Sequence, residues 1–337
     1  MSGQGKANRS VQGRPDVLPL AAGLEVLGDP WSFLIMQEAF LGIRRFDDFQ
    51  RNLKIARNTL TDRLKRLVRH GVLTKRPYQI NPIRHEYRLT VRGLESYPYA
   101  VMLMAWGDKW LKKRGLPFLK LHHLNCGAPI VPICLCDVCR TDASAQNVVI
   151  NPATALRASG AASKVRYSSK PELYAQGRDT SVPRTLALIG DRWGFFVLWL
   201  AFAGISRPDQ FHRILGIARM ILANRLQRLT ANGILRRKRY SDKPVRYDYP
   251  PTEKGAGLLP ALLVFYDWSR RWFGTEHDAL PGVLHKTCGK PLHVVIACAH
   301  CRQELKAREV WFEIIPYQPP KSRTVAPIKV ARRDKRR

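Results

Sequence analysis

Two short segments near the start of the chain carry apolar residues at helical spacing. Residues 31–40 follow a Gly-Asp-Pro start and alternate apolar with polar positions, which predicts a buried helix with proline in its first turn. Phe46, Phe49 and Leu53 mark a second, shorter helix over residues 45–53.

A third helical segment, residues 57–70, has one apolar side and one polar side. Leu60, Leu64 and Leu67 fall on the apolar side, the other side is polar and mostly cationic, and Gly71 follows as a C-terminal stop. Two short helices separated by a tight turn predict a helix-turn-helix, with this segment as its second helix.

After Gly71 the pattern changes to the alternation of a strand. Residues 72–76 and 85–89 are strand-like and bracket a loop, 78–84, that contains Pro and Asn. This arrangement predicts a hairpin, or wing, directly after the helix-turn-helix.

Helical spacing returns at residues 90–93 and again at 101–112, where Trp106 and Trp110 stand four positions apart. Aromatic residues at this spacing belong either to a core or to a surface that pairs with another unit. The sequence leaves both interpretations open.

The whole pattern occurs twice. Gly28-Asp29-Pro30-Trp31 reappears as Gly190-Asp191-Arg192-Trp193, and the shift of 162 residues from Gly28 to Gly190 holds without a gap for more than a hundred residues. Pairs that match at this shift include Arg57 with Arg219, Leu60 with Leu222, Arg63 with Arg225, Gly71 with Gly233, Trp106 with Trp268, Trp110 with Trp272, Cys126 with Cys288, Cys136 with Cys298 and Cys139 with Cys301.

The repeat predicts the domain organisation. We expect a flexible N-terminus (1–16), a first winged helix-turn-helix repeat (17–115), a first metal-knuckle segment (116–150), a linker rich in Ala, Ser, Lys and Pro (151–181), a second winged helix-turn-helix repeat (182–277), a second metal-knuckle segment (278–315) and a basic disordered tail (316–337). The predicted fold class is mainly α with small β wings (α+β), with each domain followed by a small Cys/His metal knuckle.

Four local motifs of the first repeat are Gly28-Asp29-Pro30-Trp31, Arg45-Phe46-Asp47-Asp48-Phe49, the run from Leu67 to Leu73, and the run from Arg84 to Thr90 followed by Gly93. Together they resemble the HxlR-type family of winged helix-turn-helix regulators over about 95 residues in each repeat. The resemblance implies a transcription regulator that binds double-stranded DNA. Because such proteins generally bind DNA as dimers, it also implies that the two repeats act as an intrachain pseudo-dimer.

Some positions depart from the family pattern. Ala56 and Ala218 stand where a hydroxyl residue is usual before the recognition helix, so a side-chain cap that stabilises by about 1 kcal/mol is missing. Pro208 replaces the equivalent of Phe46, and Pro250-Pro251 replaces the end of the second wing strand. We therefore expect a distorted second helix and wing in the second repeat.

The charge of the chain agrees with a nucleic-acid partner. Lys and Arg number 57 against 26 Asp and Glu, a formal net charge of +31, which no folded core requires and which favours a polyanionic partner. The longest apolar run, residues 195–205, is shorter than the roughly twenty residues that cross a bilayer. The N-terminus also lacks a secretory pattern, so we expect a cytoplasmic, nucleoid-associated protein without a membrane partner.

The recognition helices and wings supply the candidate DNA contacts. In the first repeat, Asn58, Thr59 and Asp62 are expected to read bases, with further contacts to bases or phosphates from Arg57, Arg63, Lys65, Arg66 and the wing residue Arg84. The candidates of the second repeat are Arg219, Asn224, Arg225, Arg228 and the wing residue Arg246. Met220 and Ile221 replace polar residues of the first recognition helix, so we expect an asymmetric binding site.

Cysteine and histidine spacing predicts metal sites. His123, Cys126, Cys136 and Cys139 form a His-x2-Cys-x9-Cys-x2-Cys set, and His285, Cys288, Cys298 and Cys301 reproduce it at the same shift of 162. Four such ligands suit tetrahedral Zn²⁺, and a set without an open position indicates a structural role. Two structural zinc ions are therefore expected, one in each set, while buried or redox-active thiols remain the alternative.

Several further interpretations stay open. An enzyme is not expected, because the sequence lacks a His-Glu-x-x-His motif, a Gly-rich phosphate loop and a nucleophile elbow. The alternatives to a sequence-specific regulator are a non-specific or architectural nucleic-acid-binding protein, a redox- or electrophile-sensing regulator with Cys134 as sensor, and a protein-interaction scaffold. Further homodimerisation and a small-molecule effector are left open, and the sequence does not identify the operator or the sign of regulation.

Overall fold

The computed structural model describes residues 19–111, 118–152, 180–274 and 282–315. The predicted flexible N-terminus (1–16), the predicted basic tail (316–337) and most of the predicted linker (151–181) lie outside the described residues.

The first repeat folds into helices and one hairpin and continues into three short strands. In chain order its elements are α1 (Pro19–Leu27), α2 (Pro30–Phe40), α3 (Phe46–Leu53), α4 (Arg57–Arg69), β1 (Leu73–Gln79), β2 (Arg84–Leu89), α5 (Val91–Leu94), α6 (Tyr97–Trp110), β3 (Phe118–His123), β4 (Pro132–Cys136) and β5 (Val148–Ile150).

The second repeat follows the same order of elements. They are α7 (Ser181–Ile189), α8 (Arg192–Phe202), α9 (Pro208–Leu215), α10 (Arg219–Ala231), β6 (Lys238–Asp242), β7 (Val245–Asp248), α11 (Glu253–Ala256), α12 (Leu259–Phe273), β8 (Val283–His285), β9 (Val294–Cys298), a short 3₁₀ helix (Ala307–Glu309) and β10 (Val310–Ile315). The predicted class, mainly α with small β wings in two repeats, is confirmed.

Local sequence explains where the main helices begin and end. Asp29 caps α2 by accepting a hydrogen bond from the Ser32 amide (3.0 Å), and Asp191 does the same for the start of α8. As predicted, α4 and α10 begin without a side-chain cap, at Ala56 and Ala218. These two helices are therefore stabilised by packing more than by their ends.

The prolines of the second repeat disturb its folding less than expected. Pro208 is the first residue of α9, where its fixed φ is compatible with a helix and its missing N–H costs nothing, and α9 is eight residues long like α3. The predicted distortion of this helix is therefore wrong. The second wing is shorter, because Pro250 and Pro251 lie beyond the end of β7.

A central buried helix organises each repeat. Every residue of α2 apart from Phe40 is buried, and α8 is similarly apolar on nearly all sides. Phe33, Phe49 and Trp199 are among the largest fully buried side chains. A helix that is apolar all round must lie inside the fold, and α3, α4 and the wing pack around α2.

The two repeats share one hydrophobic interface. Helix α1 of the first repeat packs on α12 of the second, α7 packs on α6 in the equivalent way, and α6 contacts α12. The Trp106 Nε1 group donates to the Lys254 carbonyl (2.8 Å), and Trp268 Nε1 donates to the Arg92 carbonyl (3.0 Å). Trp106 and its equivalent Trp268 thus satisfy both earlier interpretations, being buried and pairing the repeats, whereas Trp110 is half-buried.

The short strands after α6 and α12 form three pairs, and each pair joins a strand of one repeat to a strand of the other. Strand β3 pairs with β10, β5 with β8, and β4 with β9, all antiparallel. In the β4–β9 pair, Cys134 lies opposite Ile296, its own counterpart at the shift of 162. The pairing therefore has an approximate twofold axis at this position, and the two knuckle segments form one interleaved unit.

Among the described residues no single helix is both long and apolar enough to span a membrane. One pair of helices, Ser181–Ile189 with Arg192–Phe202, meets the length and composition criteria jointly, with a bend of 78° between them.

Candidate nucleic-acid interface and metal centres

The outer face of α4 is polar and accessible. Leu60, Leu64 and Leu67 are fully buried against the repeat core, which leaves the opposite side of the helix to solvent. The exposed residues of this side are Arg57, Asn58, Asp62, Lys65 and Arg69, with Thr59 half-buried beside them. This face has the shape and polarity that a major-groove helix requires.

Two of the predicted DNA contacts point elsewhere. The Arg63 Nε group lies 2.6 Å from Asp29 Oδ2, and Arg66 Nη2 lies 3.2 Å from the same oxygen and 2.6 Å from Ser32 Oγ. Their side chains are only 14% and 11% exposed. The structure therefore corrects the expectation that Arg63 and Arg66 project toward DNA: they hold α4 against the start of α2.

The electrostatics of this contact favour its charged form. Burial alone would lower the pKa of Arg63, but the carboxylates of Asp29 and Asp62 outweigh it and raise that pKa above its ordinary value. Arg63 thus stays a cation at every relevant pH.

In the second repeat the equivalent arginines also bind the aspartate that caps the buried helix, but their side chains are more exposed. Arg225 Nε lies 2.8 Å from Asp191 Oδ1, and Arg228 Nη1 lies 3.9 Å from Asp191 Oδ2, with side-chain exposures of 24% and 26%. The same correction applies to Arg225 and Arg228, which are held by Asp191.

The outer face of α10 is less polar than that of α4. Its exposed residues are Arg219, Met220, Ile221, Ala223, Asn224 and Gln227. Met220 is 76% exposed. The structure thus places the predicted contacts Arg219 and Asn224 on an accessible face, together with the apolar residues noted in the sequence.

The wings add exposed cations on both sides. Arg84 and Arg246 occupy equivalent positions at the start of β2 and in β7, and both are exposed. Sequence reasoning missed two more cations at the start of α3 and α9. The Arg45 guanidinium lies 4.7 Å from the ring centre of Tyr78, and Arg207 lies 4.6 Å from that of Tyr240.

Arg45 and Arg207 match at the shift of 162, as do the two tyrosines, which is the signal that could have found them. Each pair joins the N-terminus of α3 or α9 to the first strand of its wing by a cation–π contact. These arginines are exposed and belong to the candidate interface.

All eight predicted metal ligands come together, but in a different grouping. One cluster is His123, Cys126, Cys298 and Cys301, and the other is Cys136, Cys139, His285 and Cys288; the ligand atoms of each lie within 4.8 Å of one another. The predicted grouping within each repeat is therefore wrong. The antiparallel β4–β9 pair carries the Cys-x2-Cys of one repeat to the His-x2-Cys of the other.

The distances suit a tetrahedral ion. In the first cluster, His123 Nδ1 lies 3.5 Å from Cys126 Sγ and 3.3 Å from Cys301 Sγ, and the sulfurs of Cys126 and Cys298 are 3.9 Å apart. Zinc with thiolates at about 2.3 Å and imidazole nitrogen at about 2.0 Å would place such atoms about 3.5–3.8 Å apart. The donor set and its spacing therefore fit Zn²⁺.

The second cluster shows the same geometry and more support around it. Cys139 Sγ lies 3.3 Å, and Cys288 Sγ 3.5 Å, from His285 Nδ1. The opposite ring nitrogen of His285 lies 3.1 Å from the Asp142 carbonyl, a contact that directs Nδ1 toward the sulfurs. Hydrogen bonds from Thr141 lower the pKa of the Cys139 thiol to about 6, which favours the thiolate that a metal binds.

Cys134 has none of the properties of a sensor thiol. It is buried, and burial raises the pKa of its thiol well above the ordinary value. The nucleophilic thiolate is thereby disfavoured. His122 and His293 also lie outside both clusters, the first stacked on Trp311 (4.2 Å between ring centres) and the second beside Asp267.

A cavity of about 400 Å³ lies where α5 and α6 of the first repeat face α12 and β9 of the second. Its wall is apolar at Val91, Leu94 and Val264 and charged at Asp267 and Arg271. This volume is typical of small-molecule sites. A small-molecule effector stays a prediction, and this cavity is where binding can be tested.

Comparison with known proteins gives consistent matches to both repeats. The family described as HxlR-like helix-turn-helix matches residues 26–115 and 188–277. The HTH-type transcriptional regulator Rv3095 of Mycobacterium tuberculosis is 42% identical over 140 residues, which cover 42% of this chain and 89% of that protein.

Two further matches cover one repeat or slightly more. The HTH-type transcriptional regulator sll1512 of Synechocystis is 34% identical over 98 residues, 29% of this chain and 73% of its own length. A solved structure of a proposed transcription factor, PA1374 from Pseudomonas aeruginosa, is 28% identical, covers 41% of this chain and 91% of that chain, and has a TM-score of 0.30.

Proposed function

Because the chain belongs to the HxlR-like helix-turn-helix family of transcription regulators, we propose that it binds double-stranded DNA sequence-specifically in the cytoplasm, with its two repeats acting as an intrachain pseudo-dimer. The observation that carries this proposal is the paired presentation of α4 and α10. Each helix turns three leucines inward, is held by an aspartate at the start of the preceding buried helix, and leaves its other face exposed.

Each recognition helix enters a major groove and the adjacent wing contacts the flanking DNA. On α4, Asn58, Thr59 and Asp62 read base edges, while Arg57 and Lys65 contact bases or phosphates. The wing arginines Arg84 and Arg246 reach the backbone or the minor groove. The arginines bound to Asp29 and Asp191 act as positioning residues that set the angle of the helices.

The two half-sites differ in sequence. On α10, the exposed Met220 and Ile221 offer apolar contacts, which match thymine methyl groups, where α4 offers Asn58 and Thr59. Arg219 and Asn224 supply the polar contacts on this side. The operator is therefore asymmetric, and the second half-site is read with fewer hydrogen bonds.

Selection of bound fragments from genomic DNA, followed by footprinting, tests this proposal. We expect one protected site of two unequal halves, and scrambling the half under α4 to weaken binding more than scrambling the half under α10. Equal losses for both halves would refute the asymmetry. Binding without sequence preference would instead favour the architectural alternative.

A matched pair of variants separates the two kinds of contact. Asp62→Ala should relax the preference at one base pair, by about 1–3 kcal/mol, whereas Lys65→Ala, one turn along the same face, should weaken binding to all sequences alike. If both variants lower affinity without a change in preference, α4 grips only the backbone.

We also propose that both Cys/His clusters hold Zn²⁺ in a structural role. Four protein ligands per ion leave no position for a substrate or water, which is the arrangement of structural zinc. The knuckle segments are short strands with little core of their own, and the ions would tie each segment to that of the other repeat. Metal analysis of the purified protein should give two zinc ions per chain.

A further inference from the structure

The tip of the first wing is apolar and fully presented to solvent. Between β1 and β2 the turn carries Ile80, Asn81, Pro82 and Ile83, and the two isoleucines are 77% and 68% exposed. Large apolar side chains at a hairpin tip cost free energy in water unless a partner covers them. Nothing in the proposed reading of bases by α4 or of phosphates by Arg84 uses these two side chains.

Contacts of β1 and β2 support the tip of the first wing. Gln79 Nε2 donates to the Asn81 carbonyl across the turn (3.0 Å), and Arg45 lies over the ring of Tyr78, close to the end of β1. Strand pairing keeps Leu73 opposite Leu89 and Pro77 opposite His85. The two isoleucines therefore project from a supported hairpin on the same repeat as the polar recognition helix.

The surroundings of the tip are cationic. The exposed charged residues of this wing are Lys75, Arg76, Arg84 and Arg88, and its one acid, Glu86, accepts a hydrogen bond from Arg88 Nε (2.6 Å). A partner must therefore present anionic groups around an apolar interior. Duplex DNA has this property in its minor groove, where phosphates flank the stacked bases.

The second wing differs at the equivalent place. Its turn carries Lys243 and Pro244, and Asp242 at the end of β6 forms an ion pair with Arg239 (2.7 Å), so its tip is charged. Val245, 50% exposed, is the equivalent of Ile83. The apolar tip is thus a property of one wing, and it sits on the repeat whose recognition helix is the more polar.

We propose that the first wing inserts Ile80 and Ile83 into the minor groove beside the first half-site and wedges a base step apart, so that the DNA bends there. This inference rests on the proposed DNA binding and adds a second mode of reading to it. Side chains such as isoleucine and proline unstack base steps in this way and kink DNA by about 20–90°. Pyrimidine–purine steps open most readily, so a TA or CA step is expected at the contact.

The test compares the wild-type chain with Ile80→Ala/Ile83→Ala, using Val245→Ala in the second wing as matched control. Operator DNA carries 2-aminopurine at the expected step, whose fluorescence rises when a base unstacks, and a donor–acceptor dye pair at its ends that reports bending. We expect unstacking and bending with the wild type and with Val245→Ala, and the loss of most of both signals with the double variant, which still protects the same operator.

Three outcomes would overturn the wedge. In the first, the wild type binds the operator without bending it; in the second, the double variant bends the operator as much as the wild type does. Either result would leave the proposed regulator function in place. Alternatively, the isoleucines are needed only for binding to vesicles of anionic phospholipid, which would assign the tip to a lipid surface. If the wild type binds all DNA sequences equally well, both the proposed function and the wedge are refuted.

Discussion

At the scale of single residues, one aspartate in each repeat both caps the buried helix and binds arginines of the recognition helix. Asp29 caps the buried helix α2 and also binds Arg63 and Arg66, which lie 34 and 37 positions further along the chain. A cap alone would fix only the start of α2. The added ion pairs fix the direction of α4 relative to it, so the oxygen that caps the start of α2 also orients the proposed recognition helix.

The first prediction concerns a substitution that removes the negative charge of Asp29 and keeps the shape of its side chain. Asp29→Asn removes the carboxylate that Arg63 and Arg66 share, although Arg63 keeps its ion pair with the exposed Asp62. Breaking such pairs costs about 3–5 kcal/mol when burial is complete and less here. We expect a lower free energy of unfolding by chemical denaturation and weaker DNA binding. Asp191→Asn is the matched control, and its loss should be smaller because Arg225 and Arg228 are more exposed. Equal stability of Asp29→Asn and wild type would contradict this role.

At the scale of elements, close packing of small residues joins the repeats. A Cβ on Gly23 of α1 would lie 2.0 Å from Ser269 Oγ of α12, and a Cβ on Gly107 of α6 would lie 2.5 Å from Thr185 Oγ1 of α7. These contacts are equivalent at the shift of 162. Each contact pairs a glycine with a hydroxyl residue, and the glycine belongs to the first repeat in both. The glycine is therefore on α1 in one interface, whereas in the other the equivalent helix α7 carries the hydroxyl residue.

The second prediction exchanges one contact for the other. Gly23→Thr alone should destabilise the chain by about 1–3 kcal/mol, because the side chain overlaps Ser269. Gly23→Thr/Ser269→Gly recreates the Thr185–Gly107 arrangement and should recover most of that loss in thermal unfolding. A double variant no more stable than Gly23→Thr would show that the two interfaces do not pack equivalently.

The third prediction tests which ligands share an ion. Cys126→Ser/Cys298→Ser removes two ligands of one cluster, so one zinc ion per chain should remain. Cys126→Ser/Cys136→Ser removes one ligand from each cluster and should lower the content toward zero. The reverse result would restore the grouping within each repeat, and no zinc in the wild type would remove the metal proposal altogether.

At the scale of the whole molecule, the repeats are interleaved. Helix α1 packs on α12, and the three strand pairs after α6 and α12 cross between repeats. Contacts along the whole length of the described residues therefore set the spacing of α4 and α10. The net charge of +31 agrees with the proposal that the two recognition faces bind a polyanion.

The fourth prediction concerns the salt dependence of DNA binding. Each phosphate contact contributes a slope of about −0.9 in a plot of log affinity against log salt. Arg84→Ala and Arg246→Ala should each reduce this slope by about 1, measured by fluorescence anisotropy at several salt concentrations. The double variant should lose about 2, and an unchanged slope would show that neither wing neutralises a phosphate.

Local pattern alone determined the helix-turn-helix, the wings, the missing caps at Ala56 and Ala218, and the identity of the eight Cys and His residues that form the two clusters. These features depend on neighbours within a few residues, or on a repeat that can be read by alignment of the chain with itself. The two tryptophans could be assigned to a core or an interface, but not to both at once.

Only the tertiary structure decided which ligands meet and which arginines face inward. Cys126 lies 172 positions from Cys298, and Arg63 lies 34 positions from Asp29. A duplicated chain can pair its segments within or across repeats with the same local patterns, and the choice depends on the total packing of α1, α6, α7 and α12. The periodicity of the sequence does not predict that choice, because it shows which face of a helix or strand is buried and not which other element packs against that face.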